Sequence, residues 1–442
     1  MTRRTRTGAA GVLLALALLF GVLFPASPAG AGTACATLES GYLVNARMKT
    51  LASGTEQGAI SQTEDIKAIR MAESLPEGFV PSAANTVSTA DSPYPVYIFF
   101  DNGDEAGVMY FYTEADTVVM NPQSHFMFAG NTALADISGV AGWDASRVET
   151  MYAMFDSARS LPDALALKDW DTSCVKDMSF MFSGDLSLRV VDVSNWDTSK
   201  VTTMANMFQV GDNWMGNAAL QDIRGLGNLD VSNVTDMTCM FYGAGLMTEY
   251  DIGGWDVSKV ESMNHMFCDN RVLQSLDLSA WDVSSVKTMH CMFDDNHRLR
   301  TIGDVSRWNT SSLIDAGGWL NGANFFWGEN GMLDLSGWDT RNLQCAGEMF
   351  FMTGVRAVDL SGWTFDAVTN DLWEGAGSGI YYETGNSSEA LRGMGQMFRS
   401  MPNLVVVYVS QAGMDSFSAA VEKGVNVTDM WLDTHIDHFT VN

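Results

Sequence analysis

Basic side chains are scarce in this sequence. Its 442 residues include 25 Lys and Arg against 53 Asp and Glu, which gives a formal net charge of −28. Because phosphate binding requires clustered Lys and Arg, this balance argues against a nucleic-acid partner, and it disfavours adhesion to anionic membranes. The acidic surface favours solubility and attraction to cations or basic surfaces instead.

Long apolar runs are confined to the start of the chain. Three arginines (Arg3, Arg4 and Arg6) precede an apolar stretch at 9–24 that is too short for a comfortable membrane span, and small residues at 29–31 suit a cleavage site. We therefore predict a signal peptide over residues 1–31 and a secreted or cell-surface protein. No second long apolar run follows, so we expect no membrane span after removal of the signal.

Catalytic motifs are missing as well. The sequence contains no H-E-x-x-H, no G-x-S-x-G and no P-loop. Carboxylates are abundant, but abundance does not locate an acid/base pair. We predict a protein that is not an enzyme and that carries no cofactor. A carbohydrate-active enzyme is the alternative from the catalytic class.

The sequence does contain a repeated motif, and the distance between successive copies is most often 26 residues. It appears as W-D-T-S-C-V-K-D-M-S-F-M-F at 170–182 and as W-D-V-S-S-V-K-T-M-H-C-M-F at 281–293. Such a period is typical of arrays in which each unit buries its apolar face against its neighbours. The slot of the tryptophan, counted here as position 0 of each repeat, is filled by Trp143, Trp170, Trp196, Leu229, Trp255, Trp281, Trp308, Trp338 and Trp363.

Two different periods alternate within each repeat. Before the tryptophan, segments such as L-D-L-S-A-W at 276–281 alternate apolar and polar residues, which predicts a short, half-buried strand. After the tryptophan, apolar residues stand at positions 5, 8, 11 and 12, which share one face of a helix. We therefore predict strand, turn, short helix and turn, with Asp at position 1 or Ser at position 3 as the helix N-cap.

The repeat resembles that of a known bacterial family. W-D-T-S-x-V-x-x-M-x-x-M-F is similar to the BspA-type surface-protein repeat over roughly residues 90–410, and L-Q-S-L-D-L-S-A-W at 273–281 matches the leucine-rich-repeat consensus with Trp in the Asn slot. The fold class that follows is an α/β repeat: a leucine-rich-repeat-like solenoid with a parallel strand face, short helices opposite and non-repetitive caps at both ends. The resemblance implies a surface or secreted protein that engages other molecules without catalysis.

The predicted organisation has four parts. The signal peptide (1–31) precedes an N-terminal region and cap with a hairpin (32–124), a solenoid (125–403) and a C-terminal cap (404–442). The hairpin is predicted at 96–112, where two apolar runs flank D-N-G-D-E-A-G. Segments 42–53 and 63–75 have helical spacing.

Ligand contacts are predicted where the repeat is interrupted, because the recurrent Trp, Val, Met and Phe columns are expected to be core. Interruptions lie at 209–228, 314–331 and 371–393. Aromatic residues on loops supply a large contact area at low entropy cost, although they can also fill irregular packing. The partner is predicted to be a protein or glycan, as for an adhesin, and the alternative is a structural surface-layer component without a discrete ligand. The predicted contacts are Trp319, Phe325, Phe326, Trp327, Trp373, Tyr381 and Tyr382.

An acidic column lies on the outward side of the predicted strands, four residues before the tryptophan. Like charges on strands about 4.8 Å apart destabilise each other, and Ca²⁺ or a basic partner would relieve them. Since no EF-hand loop is present, we favour hydration and hydrogen bonds to neighbouring Ser and Thr, and we predict no metal site. The column consists of Asp192, Asp251, Asp277, Asp304, Asp334 and Asp359.

Cysteine and histidine side chains recur in one column. Cys239, His265 and Cys291 share position 10 of successive repeats, and Cys268 and His290 lie nearby. At ordinary helix spacing, columns two repeats apart are about 16–20 Å from each other, so these groups are not expected to share one zinc ion. A disulfide from Cys268 to Cys239 or to Cys291 is the alternative to thiols that act as small packing residues.

Overall fold

The computed structural model describes residues 33–103, 105–210, 219–323, 331–370, 393–434, 436 and 438–442. Within these ranges the chain is a mixed α/β fold, poor in helix, whose strands form four separate sheets. Three single-turn 3-10 helices lie at Ser138–Val140, Leu165–Leu167 and Leu226–Asn228. The strands and α-helices are β1 (Cys35–Thr37), α1 (Gly41–Ser53), β2 (Ala68–Met71), β3 (Tyr97–Asp101), β4 (Val108–Tyr112), β5 (Thr117–Val119), β6 (Val190–Asp192), β7 (Asp222–Arg224), β8 (Met332–Asp334), β9 (Ala357–Asp359), β10 (Val406–Val409), α2 (Gln411–Glu422) and β11 (Thr440–Val441).

The predicted fold class is wrong. A leucine-rich-repeat-like solenoid requires one continuous parallel strand face with short helices opposite. Here the strands are divided among sheets of two to four strands, and α1 and α2, the only α-helices in the described ranges, both lie outside the repeats. The residues that follow each tryptophan form turns in place of the predicted helices.

The sheets differ in how their strands pair. β1 pairs with β5, β6 pairs with β7, and β8 to β11 form a four-stranded sheet, all with parallel neighbours. The segment predicted as a hairpin forms the antiparallel pair β3 and β4, with Tyr97 opposite Tyr112. Segment 63–75, for which we predicted helical spacing, instead contains β2, which runs parallel to β4 and buries Ile69 completely.

The backbone conformation at two positions of each repeat explains the absence of helices there. Position 10 has a positive φ of 50° to 62° in every described repeat, as in Ala153, Cys239 and His265. Position 14 is also left-handed in most of the described repeats, as in Ser157 and Gly243. A right-handed helix requires negative φ throughout, so no helical run can pass these positions.

Hydrogen bonds between repeats replace those of a helix. The N–H of Cys239 donates to the carbonyl of Asn264 (2.8 Å), and the N–H of Phe241 donates to that of Met266 (3.0 Å), one repeat further on. Isolated parallel bridges such as Asp236 to Ser262 accompany them. Equivalent residues of neighbouring repeats are therefore separated by about 4.8 Å, as in a sheet, and not by the 8–10 Å of packed helices.

The core is built from the recurrent apolar columns. Phe182, Phe208 and Phe241 stack with ring centroids 5.8 Å apart. The indole N–H of Trp196 donates to the carbonyl of Leu167 in the preceding repeat (3.0 Å), so the buried tryptophan has a polar partner. A continuous cluster of buried apolar side chains extends from Ala36 to Phe439. Neither α-helix of the described chain is long and apolar enough to span a membrane.

Candidate ligand-binding surfaces

Of the predicted ligand contacts, only Trp319 lies within the described part of the chain, and it is completely buried. Trp319 occupies position 11 of its repeat, where its carbonyl accepts a hydrogen bond from the N–H of Phe293 (3.0 Å) and its ring lies 4.8 Å from that of Trp338. The first part of segment 314–331 is thus regular repeat, and Trp319 belongs to the core. The residues outside the described ranges are Phe325, Phe326, Trp327, Trp373, Tyr381 and Tyr382.

The residues that flank the insertion at 371–393 are tied to the C-terminal region. The Asn370 side chain donates to the carbonyl of Gly424 (2.8 Å) and accepts from the N–H of Asn426 (2.6 Å). Met394, just after the insertion, donates its N–H to the carbonyl of Asn426 (2.9 Å). The insertion therefore begins and ends beside the same turn.

Most side chains of the acidic column stabilise the turn that follows them. Asp277 accepts hydrogen bonds from the N–H (3.2 Å) and the hydroxyl (2.7 Å) of Ser279, and Asp304 accepts the same pair from Ser306 (3.0 and 2.7 Å). These hydrogen bonds lower the pKa of both carboxyl groups. Three further members also accept a hydrogen bond from the backbone N–H two residues further on: Asp192, Asp334 and Asp359. Asp251 is exposed.

A group of partly exposed aromatic side chains lies on the outer face of the sheet β2–β4–β3. Phe99 stacks on Tyr110 with ring centroids 5.1 Å apart, and Phe79 contacts the edges of Tyr97 (5.6 Å) and Phe99 (6.2 Å). We did not predict this surface, although the alternation Y-x-F at 97–99 and Y-x-Y at 110–112 could have indicated it. We call Phe79, Tyr97, Phe99, Tyr110 and Tyr112 the aromatic face.

Paired charges border the aromatic face. Arg70 on β2 forms ion pairs with Glu105 (2.7 Å) and Asp136 (3.3 Å). The Tyr110 hydroxyl donates to the same Glu105 carboxylate (2.8 Å), and this hydrogen bond raises the pKa of Tyr110. Arg70 is thus paired with two carboxylates, which leaves a net negative charge at this edge of the aromatic face.

A cavity of about 510 Å³ adjoins the aromatic face. It lies between the C-terminal end of α1, the segment at 79–85 and the end of β3. Phe79 and Phe99 belong to both the cavity and the aromatic face, and Asn102 adds an exposed amide. The cavity is wide open to solvent, and the residues that line it carry no charge.

The cysteine and histidine column is more closely packed than we predicted. Ligand atoms of His265, His290 and Cys291 all lie within 4.8 Å of one another. The separation of about 16–20 Å between columns was wrong, because it assumed helix spacing. Burial lowers the pKa of His265 to about 3 and raises that of Cys291 to about 11. Each of the six cysteines, all of which the structure describes, is outside any disulfide.

Comparison with known proteins places the repeats in a family. No curated protein matches the chain. A family model described as "Mycoplasma protein of unknown function, DUF285" matches residues 123–222, 212–332 and 303–373. These matches begin just after the N-terminal sheets and extend through the repeat of Trp363, so that together they span more than half of the sequence. The chain therefore belongs to this DUF285 family of proteins of unknown function.

Proposed function

We propose that this chain is an exported interaction protein that binds a protein or glycan ligand through the aromatic face and its adjoining cavity. The observation that carries the proposal is the partly exposed aromatic group formed by Phe79, Phe99 and Tyr110 beside an uncharged cavity. Export is supported by the signal-peptide pattern at 1–31, and an interaction role by the resemblance of the repeat to BspA-type surface proteins.

The chemistry of the aromatic face suits an uncharged binding partner. Aromatic rings bury a large area and lose little conformational entropy on binding. The protein has a net charge of −28, yet the residues that line the cavity are apolar or carry only neutral amide and hydroxyl groups. A sugar ring, or an uncharged peptide side chain, offers the apolar face and the hydrogen-bonding edge that these groups recognise.

The rigidity of the aromatic face adds to its suitability. Its strands are fixed from below by Ile98 and Phe111, which are completely buried, and by the register that places Phe99 opposite Tyr110. Because the rings are already positioned before binding, less ordering entropy opposes association. Trp327, Tyr381 and Tyr382 are the second set of candidate ligand contacts, which the sequence alone supports.

Binding arrays give the test of this proposal. The mature chain is screened against glycan and matrix-protein arrays, and each hit is titrated with the double variant Phe79→Ala/Phe99→Ala. We expect the loss of these two rings to weaken binding by about 2 kcal/mol or more, as for interface hot spots. Val405→Ala is the matched control, because Val405 is 56% exposed and outside the aromatic face. Circular dichroism checks that each variant is folded.

Each other outcome contradicts the proposal. Binding that survives the double variant but is lost in Trp327→Ala/Tyr381→Ala/Tyr382→Ala would assign the ligand to the insertions. Binding that is lost only when Asp277, Asp304 and Asp334 are changed to Asn would assign it to the acidic column. An absence of binding to every array member would favour a structural surface-layer component.

A further inference from the structure

Three potential metal ligands converge at one point of the repeat array. His265 is at position 10 of its repeat, and His290 and Cys291 are at positions 9 and 10 of the next. Their ligand atoms lie within 4.8 Å of one another. Tetrahedral ligands about 2.0–2.3 Å from a zinc ion are themselves about 3.3–3.8 Å apart, so a small adjustment of the side chains closes the site.

The backbone around the three ligands is fixed by hydrogen bonds between repeats. The N–H of His265 donates to the carbonyl of His290 (2.8 Å), and the N–H of Cys291 donates to the carbonyl of Gly317 (2.8 Å). Both His265 and Cys291 adopt the left-handed conformation, with φ of 52° and 50°. The ligands are thus held on a rigid support, which is a requirement for a preorganised site.

The polar atoms of the cluster are incompletely used by the protein. Nδ1 of His265 is buried and has no hydrogen-bond partner among the described residues. Buried polar groups are nearly always paired in folded proteins, so an unpaired imidazole nitrogen calls for an explanation. A metal ion bound at this cluster would provide one.

The carboxylate of Asp315 contacts one of the three ligands, His290. Nδ1 of His290 lies 3.3 Å from Oδ1 of Asp315, whose side chain is only 4% exposed. The same oxygen accepts the N–H of Gly317 (2.8 Å). If the His290 proton is on Nδ1, the hydrogen bond to Asp315 leaves Nε2 as the unprotonated ligand, which is the usual carboxylate–histidine–metal arrangement.

Two glycines pack closely against the thiol and one of the imidazoles. A Cβ at Gly318 would lie 2.7 Å from Sγ of Cys291, and a Cβ at Gly317 would lie 3.1 Å from Nδ1 of His290. Other repeats carry side chains at these positions, such as Asn206 and Glu348 at position 10. Glycine at both positions therefore lets the backbone pack directly against the side chains of His290 and Cys291 and limits their movement.

We propose that His265, His290 and Cys291 form a binding site for Zn²⁺, with Asp315 as a positioning residue. Two imidazoles and one thiolate suit zinc and other late transition metals, whereas Ca²⁺ and Mg²⁺ require oxygen ligands. With three protein ligands, the site differs from a closed structural zinc site, which has four.

The test uses the full, tag-free chain, kept reduced and freed of metal with a chelator. Zn²⁺ is titrated calorimetrically in excess Mg²⁺, which occupies the exposed carboxylates, and Co²⁺ is used as the spectroscopic probe. We expect one equivalent of Zn²⁺, and a thiolate-to-cobalt charge-transfer band that is absent in Cys291→Ser. His265→Asn should also abolish binding and remain folded, because Asn206 occupies the same left-handed position in another repeat.

Further variants separate a metal site from a structural role. Asp315→Asn should keep the stoichiometry but weaken Zn²⁺ binding by about 10- to 100-fold, as for other residues that orient a ligand. Cys239→Ser removes a buried thiol from the same column outside the three-ligand cluster, and it should leave binding unchanged. The proposal is overturned if no stoichiometric binding occurs, if Cys291→Ser and His265→Asn bind as the wild type does, or if Cys239→Ser alone abolishes binding.

Discussion

One buried residue differs from its counterparts in the other repeats. At position 15, two repeats have an asparagine, Asn270 and Asn296. The Asn270 amide donates to the carbonyls of Phe241 and Phe267 (2.8 Å each). Asp185 occupies the same position with a carboxyl group whose two buried oxygens interact with the backbone N–H of Ala158 but accept no well-formed hydrogen bond from the described residues. Burial, and then the charge of Asp156, raises the pKa of Asp185 well above its usual value.

We expect Asp185→Asn to stabilise the protein by about 1–3 kcal/mol at neutral pH, because the amide supplies the missing donors. The pKa of Asp185 is higher in the folded state than in the unfolded state. Its contribution to stability is therefore fully present below the usual Asp pKa and is lost as pH rises towards the raised value. The stability of Asp185→Asn should therefore not fall in this way as pH rises.

Denaturant titrations over a pH series measure both effects of Asp185→Asn. Asp91→Asn is the control, since Asp91 is exposed, and it should alter neither the stability nor its pH dependence. A lower unfolding midpoint in Asp185→Asn at neutral pH would mean that the carboxyl group is better accommodated than its surroundings indicate.

At the scale of the element, the spacing of apolar residues predicted which side chains are buried but not the backbone that buries them. Met263, Met266 and Phe267, at positions 8, 11 and 12, are completely buried. The turns depend on positive φ at position 10, where Ala153 and Phe180 have no preference for that conformation. Because no single residue type marks position 10, the apolar spacing alone predicts a helix.

Glycine at position 14 permits a close contact with the neighbouring backbone as well as a left-handed conformation. Gly243 has φ +67°, and a Cβ there would lie 2.8 Å from the carbonyl oxygen of Val210. Gly54, which ends α1, has φ +70° but no atom within 4 Å of a Cβ. The two glycines therefore share the conformation and differ in the space around it.

We expect Gly54→Ala to cost about 1–2 kcal/mol, the strain of a left-handed alanine, and Gly243→Ala to cost more because the contact with Val210 is added. Urea titrations of the two variants beside the wild type measure the difference between them. Equal costs would show that the Val210 carbonyl moves aside freely, and the close packing of neighbouring repeats would then not constrain position 14.

At the scale of the whole molecule, the distance between repeats explains which features could be predicted from the sequence and which could not. The repeat and its buried columns were visible because they recur, and the hairpin at 96–112 was visible from its turn residues. The distance between repeats could not be predicted from the sequence, because helices and extended turns fit the same apolar pattern. The short distance between repeats brings His265 and Cys291 together, whereas the sequence alone predicted only that the five Cys and His groups cannot all share one zinc ion. The aromatic face was missed because half-exposed rings on a strand resemble ordinary hairpin residues.

The N-terminal end of the repeat array is closed by polar groups of α1. The Lys49 Nζ donates to the carbonyls of Ala59 (2.6 Å), Ser61 (2.5 Å) and Ala129 (2.5 Å), although the side chain is completely buried. Asn45 also donates to the carbonyl of Ala129 (2.9 Å). The backbone groups at this end, which have no preceding repeat as partner, are thus paired with side chains of the helix.

Lys49→Met tests whether these contacts stabilise the whole array. We expect a loss of about 2–4 kcal/mol, because the carbonyls at the buried end lose their donors. Burial lowers the pKa of Lys49 from 10.5 to about 8, despite the opposing effect of Asp156. The folded state therefore releases its proton first, and wild-type stability should rise relative to the variant as pH increases from about 8 to 10.5. Denaturation of both proteins across this range measures the difference, with the exposed Lys67→Met as control. If the gap between wild type and Lys49→Met stays constant with pH, Lys49 keeps an ordinary pKa and the end of the array is open to water.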